Sequence, residues 1–233
     1  MSFLIKTINL LILTTSIAIS QSHQNTEVIP LNSTQKLELV NVKANVVRLK
    51  GKEGIRVEKK DSLDITKRTE TLVLIEETNF RNGIIELELA GEPAPDAGKG
   101  ARGFVGIAFR IDSSDHSNYE CLYLRPVNGR ADDQLQRNHS VQYISHPEYP
   151  WQRLRKEQPG QYETYVDLVP GEWTKIKIEV SGQKARLYIN GSSHPTLIVN
   201  DLKHNERTGL VGLWLHRSTV AHYRNLKLTV FSD

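Results

Sequence analysis

This 233-residue chain has a single cysteine, Cys121, so no intrachain disulfide can form and the fold must rest on its packed core. It lacks an excess of either charge: 30 Lys and Arg stand against 27 Asp and Glu, a formal +3, with the signs interspersed. That excludes the basic stripe by which nucleic-acid binders grip phosphates. Past the N-terminus no stretch comes near the roughly 20 apolar residues of a membrane span. A glycine-rich phosphate loop, a Ser–His–Asp motif and internal repeats are also missing. The histidines show no spaced ligand set: His116, His139 and His146 fall in one region, His204, His216 and His222 near the C-terminal strands. Asp112, Asp115 and Asn118 could offer oxygens to a structural calcium. Their spacing matches no calcium-loop motif, however, and Asp-Ser runs are ordinary turn chemistry. No cofactor is expected.

The N-terminus is different in kind. Met1–Ser20 carries one basic residue, Lys6, then an apolar run from Ile8 to Ile19 ending in Ala18-Ile19-Ser20. Those are the parts of a secretory leader with a small-residue cleavage site. The mature chain is therefore expected outside the cytoplasm, secreted or periplasmic. Residues 21–35 read as a polar lead, disordered over Gln21–Asn25, and residues 36–233 as one domain with enough chain for a real core.

Within that domain period-two alternation dominates. Ile85, Leu87 and Leu89 alternate with Glu86 and Glu88; Val105, Ile107, Phe109 and Ile111 with Gly106, Ala108 and Arg110. Ile176, Ile178 and Val180 alternate with lysine and glutamate. After Ser181-Gly182-Gln183-Lys184 the pattern resumes at Ala185, Leu187 and Ile189, the signature of a hairpin. Further strands are expected at 36–42, 45–49, 55–59, 71–75, 119–125, 140–145, 162–168, 196–199, 210–215 and 220–230. A dozen short strands with one buried face each require two packed antiparallel sheets, an all-β sandwich or jelly roll. Ile107, Phe109, Ile176, Ile178, Leu187 and Leu226 should share its core. Gly91–Arg102, rich in glycine and proline, reads as a long rim loop.

The segment from Asn118 to Trp151 is the most unusual. It crowds Glu120, Arg125, Arg130, Asp132, Asp133, Gln134, Arg137, His139, Gln142 and His146 among Tyr119, Tyr123, Tyr143, Tyr149 and Trp151. Aromatic faces beside planar hydrogen-bonding groups are what a protein needs to hold a sugar, the rings against C–H faces and the polar groups on hydroxyls. The alternative is a surface ion-pair network. Trp151, in irregular chain among prolines, is either a plug closing the sandwich end or a platform for a ligand ring. Cys121, between Tyr119 and Tyr123, reads as a small packed residue, and Trp173 and Trp214 as core or core-edge residues. Glu86 and Glu88 share a strand face, but the third acid of an E-x-D-x-x-E glucanase strand falls one position late, at Glu92.

From about Phe80 onward the order of features resembles the concanavalin A-like lectin/glucanase superfamily. More narrowly, it resembles the laminin-G-like and 3-keto-disaccharide-hydrolase-like (DUF1080) jelly rolls of secreted bacterial proteins. FRNGIIELELAG, GFVGIAFRI with NYECLYLRP, GEWTKIKIEVSGQKARLYING and GLVGLWL with HYRNLKLTV carry the likeness. The resemblance implies a jelly roll and, through the aromatic–Glu pair Tyr119-Glu120 after the strand ending in Arg110, a ligand-binding role for Arg110 and Glu120. A cross-strand ion pair is the other reading of those two. The 128–151 stretch departs from the short loop usual in that family.

The functional reading is a carbohydrate-binding domain using Arg110, Glu120, Tyr123, Arg125, Asp132, Asp133, Gln134, Arg137, His139, Gln142, Tyr143, His146 and Trp151. A glycan-cleaving hydrolase using Glu120 with Asp132, Asp133 or His139 is the first alternative. A non-catalytic adhesion domain is the second.

Overall fold

A computed structural model describes residues 24–63 and 69–231; the leader lies outside them. One sheet contains β1 (Gln24–Ile29), β3 (Val42–Leu49), β4 (Lys52–Lys59), β6 (Gly83–Pro93), β11 (Thr174–Ser181), β12 (Lys184–Ile189), β13 (Leu197–Val199) and β15 (Thr219–Phe231). Its order is β13-β12-β11-β6-β15-β4-β3, with β1 also paired to β15. The other sheet contains β2 (Leu37–Val40), β5 (Leu72–Phe80), β7 (Val105–Ile111), β8 (Tyr119–Leu124), β9 (Val141–His146), β10 (Glu163–Thr164) and β14 (Gly209–Leu215). Its order is β10-β9-β8-β7-β14-β5-β2. Strand pairing is antiparallel throughout the described residues, and the whole is the expected two-sheet sandwich.

Alternation sets the register. Ile178 faces inward and is fully buried while Lys177 looks outward, and Ile107, Phe109, Ile176, Leu187 and Leu226 join Ile178 in the core. The expected hairpin closes on Gly182 and Gln183, with Ser181 opposite Lys184.

Four local expectations change. From Gln24 on the lead contributes a strand, since Val28 and Ile29 pair with Lys227 and Leu226 on a long strand that has a free edge there, while residues 21–23 of the lead lie outside the described residues. The rim loop starts later than expected, because β6 runs through Gly91 and Glu92 to Pro93. Gly91 is required there: a Cβ would stand 2.4 Å from the Gly103 carbonyl oxygen and 2.6 Å from a Val105 methyl. The strand expected over 162–168 shrinks to Glu163–Thr164 at the sheet edge, where β9 offers only Gln142 and Val141 as partners. Two short helices, α1 (Gln134–Asn138) and α2 (Trp151–Glu157), replace irregular chain; Asp133 caps the first and Pro150 precedes the second.

Candidate functional site

Both faces of β7, β8 and β9 are buried, which alternation alone does not announce. One face, carrying Ile107, Phe109, Leu122 and Tyr143, packs into the sandwich. The other, here the cleft face, carries Gly106, Ala108, Tyr119, Cys121, Tyr123, Gln142, Ile144 and His146, with Trp214 on the neighbouring β14. Small residues make room for rings. A Cβ on Gly106 would lie 2.4 Å from the Leu122 carbonyl oxygen and 2.5 Å from the Tyr123 Cβ. In the space so kept, Tyr123 and Trp214 pack with centroids 4.8 Å apart. Trp214 is thus a cleft-face residue, and its Nε1–H donates to the Tyr119 hydroxyl at 3.0 Å. Tyr119 also bonds Glu70 and lies 2.9 Å from His146 Nδ1. Burial and the Glu70 carboxylate push the Tyr119 hydroxyl well above the usual phenol range.

At the far end of this face a charged cluster forms around Glu163. Its carboxylate accepts from Arg155 Nε (3.0 Å) and Nη2 (2.6 Å), and His139 Nδ1 lies 2.8 Å away. Arg125, 5% exposed, sits beside them. Its guanidinium donates to the His139 carbonyl (2.9 Å), the Tyr123 hydroxyl (2.7 Å) and Gln142 Oε1 (3.3 Å). Burial lowers the His139 pKa; Glu163 opposes this, and Arg155 and Arg125 add to it. The direction of the shift favours the neutral imidazole. Helix α2 covers the cluster, since the i,i+4 spacing of Trp151 and Arg155 stacks the guanidinium 4.6 Å from the indole centroid.

Two cavities flank this cover. The smaller, about 420 Å³, is lined by Arg102, Phe104, Arg125, Asp133, His139, Trp151 and Arg155 among others. The larger, about 730 Å³, takes in Glu70, Tyr123, His146 and Trp214. Phe104 and Trp151 line both. Trp151 is 37% exposed, so of the two roles open to it, its indole has the free surface that a platform requires.

The sequence-derived site therefore splits. Arg125, Asp133, His139 and Trp151 meet at the smaller cavity, with Gln142 packed beneath Arg125. Tyr123 and His146 belong to the larger. Glu120 does not take part. It pairs with Phe109 on the inner face, is fully buried, and accepts from the Tyr143 hydroxyl (2.6 Å) and the His204 N–H (2.9 Å). Tyr143 is inward for the same reason, so a catalytic Glu120 has no route to the cleft. Arg110 is re-aimed by a bulge in β7, where its φ is 52°. Its guanidinium donates to the carbonyls of Arg81 (2.8 Å) and Gly182 (2.8 Å), tying two turns together, and it forms no ion pair with Glu120. Asp132 is exposed outside the cavity lining, Gln134 bonds Asn138 along α1, and Arg137 turns to the Tyr165 hydroxyl. Asp112 and Asp115 accept from Ser114 and Ser117 in tight turns, and among the described residues no group of three acidic, His or Cys side chains is placed to hold a metal. Arg102, Phe104, Arg155 and Glu163 were missed. Only Arg155, four residues after Trp151, left a signal in the sequence.

Solved structures share the fold at low identity. The carbohydrate-binding module CBM66 from Bacillus subtilis superposes with a TM-score of 0.52 and 14% identity, covering 83% of this chain and 95% of that one. A Bacillus subtilis protein of unknown function with a galectin-like fold gives 0.54 and 14%, covering 88% and 96%. Peanut lectin gives 0.52 and 10%, covering 91% and 100%. No curated protein matches the sequence. The family model described as the 3-keto-alpha-glucoside-1,2-lyase-like domain matches residues 37–229, and the chain belongs to that family.

Proposed function

We propose that this protein binds a carbohydrate on the cleft face, with Trp151 as the platform for a sugar ring and Arg125, His139 and Arg155 as hydroxyl partners. The observation that carries this reading is the half-open indole shared by two adjoining cavities, with donors anchored beside it. A rigid aromatic anchor with preset polar groups is the usual economy of a small-ligand site. Trp151→Ala should weaken glycan binding by about 1–3 kcal/mol, roughly five- to 150-fold, in calorimetric titrations. An unchanged affinity would remove the platform role.

His139, which lines the smaller cavity 2.8 Å from the Glu163 carboxylate and whose pKa burial lowers, supports a second reading, cleavage by elimination, in line with the family's description. In a 3-keto-glycoside the proton on C2 is acidified by the adjacent carbonyl. His139 would take that proton, the C2–H electrons would form an enolate, and their return would expel the C1 substituent and leave a C1–C2 double bond. The imidazolium then returns its proton to the departing oxygen. Arg125 and Arg155 supply positive charge for the enolate oxygen. His139→Gln should cut turnover by about 10²–10⁴-fold while binding survives. Product masses that sum to the substrate identify elimination, whereas an added water identifies hydrolysis. A wild-type protein that binds a 3-keto-glycoside and releases nothing would leave the binding reading alone standing.

A further inference from the structure

The smaller cavity has more positive charge than its own carboxylates match. Arg102, Arg125 and Arg155 line it, against Asp133 at its mouth. Asp133 is exposed, and its Oδ1 already accepts from the Gln136 N–H at 2.6 Å. Glu163 lies behind the wall with its side chain 4% exposed, committed to Arg155 and His139. Arg125 is left with three neutral acceptors, and its nearest carboxylate oxygen, on Glu163, is 4.0 Å away. Arg102 donates to the carbonyls of Lys99 (2.8 Å) and Ala101 (3.0 Å), and makes no ion pair with a described residue. The larger cavity is lined by Arg153, paired with Glu157 at 2.8 Å, by Arg217 and by the Glu70 carboxylate.

A guanidinium withdrawn from water without a close counter-charge is costly, and an incoming anion relieves the cost. We propose that the smaller cavity is a subsite for an acidic sugar, its carboxylate held by Arg102 and Arg125. The exposed side chains of Leu135 and Trp151, which both line this cavity, pack against the sugar ring. The guanidinium fork fits a planar carboxylate through parallel N–H···O bonds, a match that a neutral hydroxymethyl group lacks. This deepens the carbohydrate-binding reading and rests on it.

The test compares a panel of oligouronides with their carboxyl-reduced counterparts by calorimetry, where ground-state affinity is read without turnover. Wild-type protein should prefer the acidic member of at least one pair by about tenfold or more, and added salt should weaken that preference. In Arg102→Gln the ratio should collapse towards one, and Arg102→Lys should restore part of it. Equal affinity for the two members of every pair, or a preference that survives Arg102→Gln, overturns the acidic subsite while the parent reading stands. Binding to no glycan of either kind overturns both. Should Arg102→Gln fail to fold, the Lys variant and the salt titration still decide: a preference insensitive to salt overturns the proposal.

Discussion

The two outer faces of the sandwich follow the same alternating pattern and end in opposite states. On the first sheet, outward positions carry ion pairs across and along strands: Lys227 with Glu86 (3.0 Å), Lys177 with Glu179 (2.7 Å), Arg56 with Glu58 (2.6 Å). All are partly exposed, and such pairs are worth about 0–1 kcal/mol each. On the second sheet the outward positions of β8 and β9 include Tyr119, Cys121, Tyr123 and Gln142, each 2% exposed or less. Polar atoms there have lost water and must be satisfied by one another, as the Trp214–Tyr119–Glu70 and Arg125–Tyr123–Gln142 networks do. An open face tolerates change and carries solubility. A covered face is specific, and its cover, α2 with Trp151, leaves the cleft.

The contrast breaks most sharply at Gly106. Gly106→Val should destabilise the fold by about 3 kcal/mol or more, because backbone and the Tyr123 Cβ already occupy the added volume; chemical denaturation measures it, and a loss within 1 kcal/mol of wild type would show that the cleft face repacks freely.

Next in size is an acid-sensitive group on the otherwise tolerant face. His222 is 6% exposed, and burial, aided by Arg56 and opposed by Glu58, lowers its pKa from 6.5 to about 4. Because the folded value lies below the unfolded one, the neutral form belongs to the native state. Its contribution is complete above pH 6.5 and is lost as pH falls towards 4, by up to about 3 kcal/mol. Melting temperatures across this window should fall with pH, and His222→Gln should flatten that limb; an equally steep limb in the variant assigns it to other groups. The smallest effect belongs to an open pair. Lys227→Ala should change stability by less than about 1 kcal/mol, and a larger loss would mean that this face is also cooperative.

How far the pattern could be read shows in particular residues. Ile107, Phe109, Ile176 and Ile178 were legible as core because period two is a local property of the chain. Glu120 was misplaced by the same rule applied without depth. Alternation says that it shares a face with Leu122, and only the second sheet makes that face the interior. Arg110 escaped because a single left-handed residue in β7 breaks the phase, and nothing in its neighbours marks the bulge. Trp151 was seen as unusual but not as helical, since a seven-residue helix carries little periodicity of its own.

By itself the sequence determined the all-β sandwich, most strand positions and the concentration of aromatic and polar residues at 118–151, because these depend on spacing along the chain. Tertiary structure alone decided which of those residues meet. Glu163 reaches His139 and Arg125, and Phe104 lines one cavity with Trp151, across tens of residues of intervening chain. Such meetings follow from strand order and from the helix that folds over the sheet, quantities that no local period encodes.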